Sequence, residues 1–463
     1  MKYTILVNKN NIFKEKYISK FELVETTNID NNKILVEKET YNSYLKLKEY
    51  LKTIDIEIGI DSALRTTLDQ EEIYNYYFEK YGKEYCDNYV APIGYSEHHT
   101  ALAIDFYIKR NDSYPSDDTE IDNTKEYKKI HKILYKFGFI LRYPKDKENI
   151  TGYNYEPWHI RYVGLIPAKI IFDNNLTLEE YLNDFGGVLY INKKKGITSY
   201  DVVNKISHLF GIKRVGHTGT LDPLAEGVLI VCIGQATKIV ELITSYNKEY
   251  IAEAKLGIKT DTYDIEGKII DRKEINNTNI EEIIKSYKKT YMQEVPIYSA
   301  IKVNGKKLYE YARNNIEVTL PKKEVTIKEI KILEYSDDYF KIKAEVSKGC
   351  YIRSLINDIG ISLNTYATMT SLIRTRQGNI KLEETNNLED IENNNYVIHK
   401  IEEVLDYKIV IVGKEVEFKI SNGMKIDNNW NIKDKVILKN QDNKILGIYE
   451  IEKDKLKVWK NFN

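Results

Sequence analysis

The stretch GYSEHHTALAIDFYI, residues 94–108, sets His98 seven positions before Asp105, and YEPWHIRY later sets His159 three positions after Glu156. Two imidazoles and one carboxylate with an open fourth position are the donor set of a catalytic zinc site. A strand through Ala103 and Asp105 puts a small residue beside the carboxylate and leaves room in front of it. Zinc held there would bring a water's pKa toward about 7. Glu156 is suited to take that proton and hand it to a leaving amine. Arg65, after an expected strand, suits a substrate carboxylate or a developing oxyanion. A histidine beside an apolar strand is more often structural, so spacing alone does not decide.

A different chemistry is concentrated in RVGHTGTLDPLAEGVLIVCIG, Arg214 to Gly234. Gly216, Gly219, Pro223 and Gly227 impose an irregular backbone, and VLIVCIG then reads as a buried strand. Asp222 precedes Pro223, a position where helix is disfavoured. An isolated LDP is usually a turn aspartate. Such glycines can also cradle phosphate, but no GKS or GKT follows them, which argues against a Walker-type nucleotide site.

Several elements must position these residues. KYTILVNKNN reads as a strand and turn. KETYNSYLKLKEYLKTI has apolar residues at helical spacing. IEIGIDSALRTT is a strand delivering Arg65, and DQEEIYNYYFEKYG a helix that Asp69 caps. SDDTEIDNT reads as an acidic surface loop, TKEYKKIHKILYKFGF as a helix ending near Gly138, and EPWHIRYVG as the strand carrying His159. LIPAKIIFDNNLTLEEYLNDFGG reads as a helical linker. A fresh start follows at GVLYINKKKGITS. The strands EYIAEAKLGI, KIKAEVSKG and YKIVIV then alternate with the helices DVVNKISHLF and IRSLINDIGISL, a mixed α+β pattern. The tail from about 405 onward is short strands with Asn, Asp and Gly turns, a small β module.

Composition sets outer limits. A chain of 463 residues implies about two to four domains. The net charge is −1, but residues 1–180 carry about −5 and the remainder about +4, so the second part tolerates a polyanionic partner. Cys86, Cys232 and Cys350 are odd in number and far apart, which fits a reducing compartment and no disulfide framework. No apolar run approaches the roughly 18 residues of a membrane span, and the first residues lack the pattern of a signal peptide. A cytoplasmic protein is expected. The abundance of Lys, Asn, Ile and Tyr reflects codon bias.

The front third resembles the zinc D-alanyl-D-alanine carboxypeptidases and dipeptidases of VanY and VanX type. The resemblance rests on Ser96-x-His98 through Ala103-x-Asp105, Glu156-x-Trp158-His159, ALRTT with Gln70, GFILRYP and ITGYNYEPWHIRYVG. It implies zinc on His98, Asp105 and His159, Glu156 as catalytic base, Arg65 on the carboxylate or transition state, and a D-Ala-D-Ala peptide or dipeptide as substrate. The family's usual glycine in S-x-H-x-x-G is Ala101 here; a left-handed backbone at that position would strain it. His99 is not expected to be a ligand.

From GVLYINKKKGITSYDVV onward the chain resembles the TruB-type tRNA pseudouridine synthases. NKEYIAEAKLGIKTDTYDIEGKI, VPIYSAIKVNGKKLYEYAR, VSKGCYIRSLINDIG and SLIRTRQGN carry the match. It implies a pseudouridine(55) synthase acting on the tRNA T arm without a cofactor. By motif, Asp222 is the nucleophile, Tyr250 stacks on the target uracil, Tyr351 and Arg353 line the pocket with Arg353 pairing to Asp222, and His217 helps place flipped-out bases. Lys193, Lys194, Lys195, Lys213 and Arg214 are expected to meet phosphates. Lys193 to Lys195 replace the family's Lys-Pro pair, and Tyr200 a frequent His.

The expected architecture is α+β multidomain: a small zinc-peptidase domain at 1–165, a linker at 166–186, a mixed-sheet synthase domain at 187–400 and a PUA-like RNA-binding β module at 401–463. Two readings of the whole follow. Both sites are catalytic, or the synthase, with or without a tRNA-chaperone role, carries a front domain that binds peptide without cleaving it.

Overall fold

A computed structural model describes residues 2–110, 124–275 and 279–462. Most of the expected acidic loop, 116–123, lies outside the described residues. The chain forms two compact units, Met1–Phe185 with Lys205–Arg214, and Gly186–Asn204 with Val215–Asn463.

The first unit is built on a four-stranded antiparallel sheet with the order Ile58–Ser62, Ala103–Ile108, His159–Tyr162, Phe139–Leu141. Its apolar face packs against the helix Lys38–Lys52 through Tyr44, Leu47 and Leu51, which recur at the three- and four-residue spacing of one helix face. The Thr67–Tyr89 helix is capped by Thr66, not by Asp69. Asp69 closes a reciprocal capping box instead, its carboxylate accepting from Thr66 N–H. The expected helix up to Gly138 divides into Lys125–His131 and a tighter turn at Leu134–Phe137. The first residues make no ladder strand; Arg161 instead holds the extended chain by donating to the Tyr3 and Ile5 carbonyls.

The segment expected as a linker is an integral part of this unit. It forms the helices Leu165–Asp173 and Leu178–Asn183, which bury Ile166, Ile170, Ile171, Leu178 and Tyr181. Apolar burial on this scale is what separates a packed element from a spacer.

The second unit centres on a mixed sheet. Its main path runs Thr290–Glu294, Lys322–Ser336, Tyr339–Val346, Lys248–Leu256, Ala367–Gln377, Glu226–Gly234, Gly186–Lys193. All neighbours on the path are antiparallel except Ala367–Gln377 beside Glu226–Gly234. In that parallel pair Gly227 faces Arg374. Gly227 has φ 103, and a Cβ there would lie 2.2 Å from the Arg374 carbonyl oxygen, so only glycine fits. The C-terminal residues form a five-stranded sheet, consistent with a PUA-like module, plus the helix Lys414–Ser421 that the strand pattern had hidden. Its Ile437, Ile448 and Phe462 share one core with Val188, Val228 and Ile230 of the large sheet.

Candidate active sites

In the first unit, the Ala103–Ile108 and His159–Tyr162 strands pair with Asp105 opposite His159. His98 enters from the short turn Glu97–Thr100 just before. Strand register and turn together bring His98, Asp105 and His159 to one point, with their ligand atoms all within 4.8 Å of one another. His98 Nε2 is 3.1 Å from Asp105 Oδ2 and His159 Nδ1 is 3.0 Å from Asp105 Oδ1. His98 Nε2 and Asp105 Oδ1 are nevertheless buried without a hydrogen-bond partner. Buried polar atoms are seldom left so, and a cation between them would satisfy both. His98 Nδ1 donates to the Ala63 carbonyl at 2.6 Å, which fixes the tautomer with the Nε2 lone pair turned inward.

The electrostatics separate the two imidazoles. Burial, with help from Arg65, lowers His98 to about 4, so the ring is neutral and able to ligate. Burial opposes charge on His159, but Asp105, Glu97 and Glu156 outweigh it and raise it to about 9. Asp105 is held well below the carboxylate range by the two imidazoles, against the cost of its burial. Glu156 Oε2 lies 3.5 Å from His159 Nδ1. Arg65 donates to Asp105 Oδ2 at 2.6 Å and to Ser62 Oγ at 2.8 Å, so the guanidinium reaches the ligand cluster itself. His99 turns away; its Nδ1 donates to the Arg65 carbonyl. Ala101 has φ 58, the left-handed backbone that its motif position demands.

The second site lies in the second unit. Asp222 sits in the loop between the strands Val215–His217 and Glu226–Gly234, with Arg353 in the first turn of the helix Ile352–Ser362. Arg353 Nε is 2.9 Å from Asp222 Oδ2. The Asp222 side chain is 36% exposed while that of Arg353 is 6% exposed: the carboxylate is at the mouth and its counter-charge behind it. The Arg353 guanidinium is fixed by the Thr262 and Tyr298 carbonyls, each at 3.1 Å.

The rest of the loop is clamped by residues that sequence reasoning had not assigned. Arg374, 1% exposed, donates to the carbonyls of Gly219, Thr220 and Val228 and to Tyr250 Oη, all within 3.1 Å. Ser199 Oγ donates to the Leu221 carbonyl and accepts from Leu221 N–H. Gly196 N–H donates to the Pro223 carbonyl. Tyr250 lies opposite Arg374 in the strand register, so one guanidinium ties the expected stacking ring to the aspartate loop. His217 is kept neutral mainly by burial, and its Nδ1 accepts from Gly219 N–H. Tyr351 is gripped at both backbone polar groups by the Gln293 side chain.

Lys193 departs from expectation. It is wholly buried, and its ammonium donates to the Lys194 and Ile197 carbonyls. Burial pulls it down to about 8, although Asp222 and Glu226 favour its charge. An ammonium committed to two carbonyls inside the protein shapes the Gly196 loop and offers nothing to a phosphate; Lys194 and Lys195 are the exposed pair.

Residues 207–352 match the family model described as TruB family pseudouridylate synthase (N terminal domain). Over 199 residues the chain is 50% identical to tRNA pseudouridine synthase B of Fusobacterium nucleatum, covering 42% of this chain and 69% of that protein. The chain belongs to the TruB family. A second TruB relative, from Clostridium tetani, is 42% identical over 274 residues, 58% of this chain and 93% of its own. Ahead of the TruB region, residues 33–165 match the model described as D-alanyl-D-alanine carboxypeptidase, VanY. A solved structure of a VanY D,D-pentapeptidase variant with Zn(II) is 29% identical with a TM-score of 0.33, covering 40% of this chain and 100% of that one. Asp222, Tyr250 and Tyr351 lie within residues 207–352, with Arg353 directly after them; His98, Asp105, Glu156 and His159 lie within residues 33–165.

Proposed function

We propose that this TruB-family chain is a bifunctional enzyme, a tRNA pseudouridine synthase acting on the T-loop uridine and a zinc-dependent D-alanyl-D-alanine carboxypeptidase or dipeptidase. The Arg353–Asp222 pair carries the first half. Isomerising uridine breaks the C–N glycosidic bond, turns the base and forms a C–C bond, with no net redox change. The Asp222 carboxylate acts on the ribose or base, and the guanidinium behind it holds it in position at 2.9 Å. The base must leave its stack at a cost of a few kcal/mol; stacking on Tyr250 returns about 1–3 kcal/mol. Tyr351 and His217 line the approach, and Lys194 and Lys195 meet the phosphates. Asp222→Asn is expected to bind a T-arm hairpin with unchanged affinity and to form no pseudouridine, read by nucleoside mass analysis. Turnover by that variant removes Asp222 as nucleophile.

For the second half, the two unpartnered buried atoms His98 Nε2 and Asp105 Oδ1 support a zinc site made by His98, Asp105 and His159. When bound, zinc supplies Lewis acidity at the scissile carbonyl. Glu156 takes a proton from the water that attacks the carbonyl and passes it to the amine that leaves as the C–N bond breaks. Arg65, already inside the cluster, binds the substrate's terminal carboxylate. Metal analysis of the full chain is expected to find one zinc, lost in His159→Ala. A wild-type chain that binds none leaves the front unit a peptide-binding module.

A further inference from the structure

His159 meets the ligand cluster through Nδ1, and its other nitrogen points into the protein. Nε2 is buried, without a hydrogen-bond partner, and 3.6 Å from Glu97 Oε2. Glu97 Oε2 is likewise buried and without a hydrogen-bond partner. Two orphaned atoms of complementary type thus face each other, a few tenths of an ångström beyond bonding distance. The other oxygen of Glu97 is fully engaged. Oε1 accepts from Arg142 Nε at 2.7 Å and from Arg161 Nη1 at 2.8 Å, so the carboxylate cannot turn. Arg142 is held in turn by Glu179, which accepts from both of its terminal nitrogens at 2.9 and 2.6 Å. Glu179 also accepts from Asn8 Nδ2 at 2.9 Å. Arg142 and Arg161 have no exposed side-chain surface, and two guanidiniums against two carboxylates balance in charge.

We propose that Glu97 orients His159 for the metal, and that Glu179 fixes this orientation through Arg142. Both are positioning residues; neither touches substrate. An imidazole that ligates through one nitrogen is aimed and made more basic by a carboxylate on the other. The proposal rests on the zinc reading and extends it. It draws the helix Leu178–Asn183, beyond the VanY-matching residues 33–165, into the outer shell of the site. It also gives the adjacent Glu97-His98 pair separate duties, one holding the metal and the other holding the opposite ligand.

The test uses the full chain and two metals. Zinc affinity is measured by competition with a chromophoric chelator, and the ligand field from the visible absorption of the cobalt(II) form. Glu97→Gln keeps shape and removes charge. It is expected to weaken zinc about 10–100-fold and to shift the cobalt bands; Glu179→Gln is expected to do both in smaller measure. Glu180→Gln is the control, because Glu180 sits on the same helix but pairs with Lys147 at 2.9 Å, off the path to His159. Wild-type affinity and bands in Glu97→Gln overturn the proposal, as do losses in Glu180→Gln equal to those in Glu179→Gln. If Glu97→Gln does not fold, Glu179→Gln decides, and unchanged zinc affinity there overturns the relay. A wild-type chain that binds no zinc instead defeats the underlying metal reading.

Discussion

At the residue scale, the two sites use charge in opposite ways. Asp222 keeps its carboxylate at the surface with a buried guanidinium behind it, whereas Asp105 is itself buried among groups that would share a cation. Arg374 tests how far the first arrangement depends on rigidity. Lysine cannot reproduce a planar fork that serves three carbonyls and a phenol at once. Arg374→Lys is expected to lower kcat at least about tenfold, roughly 1.4 kcal/mol, with little change in KM for RNA, measured by steady-state kinetics. An unchanged kcat would mean that the aspartate loop holds itself. That His98, Asp105 and His159 converge and that Arg353 pairs with Asp222 could be anticipated from motifs resembling known families, whereas residue type and spacing alone decided neither. Glu97 and Arg374 were not legible in the sequence. A glutamate in a polar turn and an arginine in a strand, SLIRTRQ, usually face water, and only tertiary packing turns these two inward. Lys193 failed for the same reason: three consecutive lysines look alike until the end of a strand points one of them into the core.

At the element scale, backbone conformation and burial make separate predictions. Ala101 closes the His98 turn in the left-handed region, which costs a non-glycine residue roughly 1–2 kcal/mol. Ala101→Gly is expected to stabilise the first unit by about 1 kcal/mol without changing metal content, read by thermal unfolding. Destabilisation would show that the alanine methyl is needed for packing. On the helix Ile352–Ser362, Asp358 is raised to about 6 by burial and by Glu294, although it accepts from Tyr291 Oη. Its folded pKa exceeds the unfolded value near about 4, so the folded state binds the proton more tightly. The stability from this group is complete below about pH 4 and lost as pH rises through 6. Asp358→Asn is therefore expected to raise stability over wild type at pH 7–8, a gain that fades toward pH 4 in denaturant titrations. A gain independent of pH would contradict the burial argument. Long amphipathic helices and alternating strands were readable from period. The ends were less so: Thr66 displaced Asp69 as cap because the side chain that reaches the free N–H groups depends on where the first turn starts.

At the scale of the whole molecule, the described residues form two compact units; His98, Asp105, Glu156 and His159 lie in the first, and Asp222, Tyr250, Tyr351 and Arg353 in the second. The fresh start at GVLYINKKKGITS was legible because its apolar run begins a strand after a polar segment. The segment before it was misread as a linker because a short capped helix and a spacer look similar in sequence, and only burial of Leu178 and Tyr181 and the Glu179–Arg142 pair distinguish them. Among the described residues no helix is long and apolar enough to cross a membrane. If the units are chemically independent, inactivating one leaves the other intact. One preparation of the full chain, wild type, Asp222→Asn and His159→Ala, assayed side by side for pseudouridine in a T-arm hairpin and for D-alanine released from D-Ala-D-Ala, tests this most directly. Crossed losses are expected: Asp222→Asn releases D-alanine and makes no pseudouridine, and His159→Ala makes pseudouridine and releases no D-alanine. Pseudouridine formed by Asp222→Asn, or D-alanine released by His159→Ala, would contradict it.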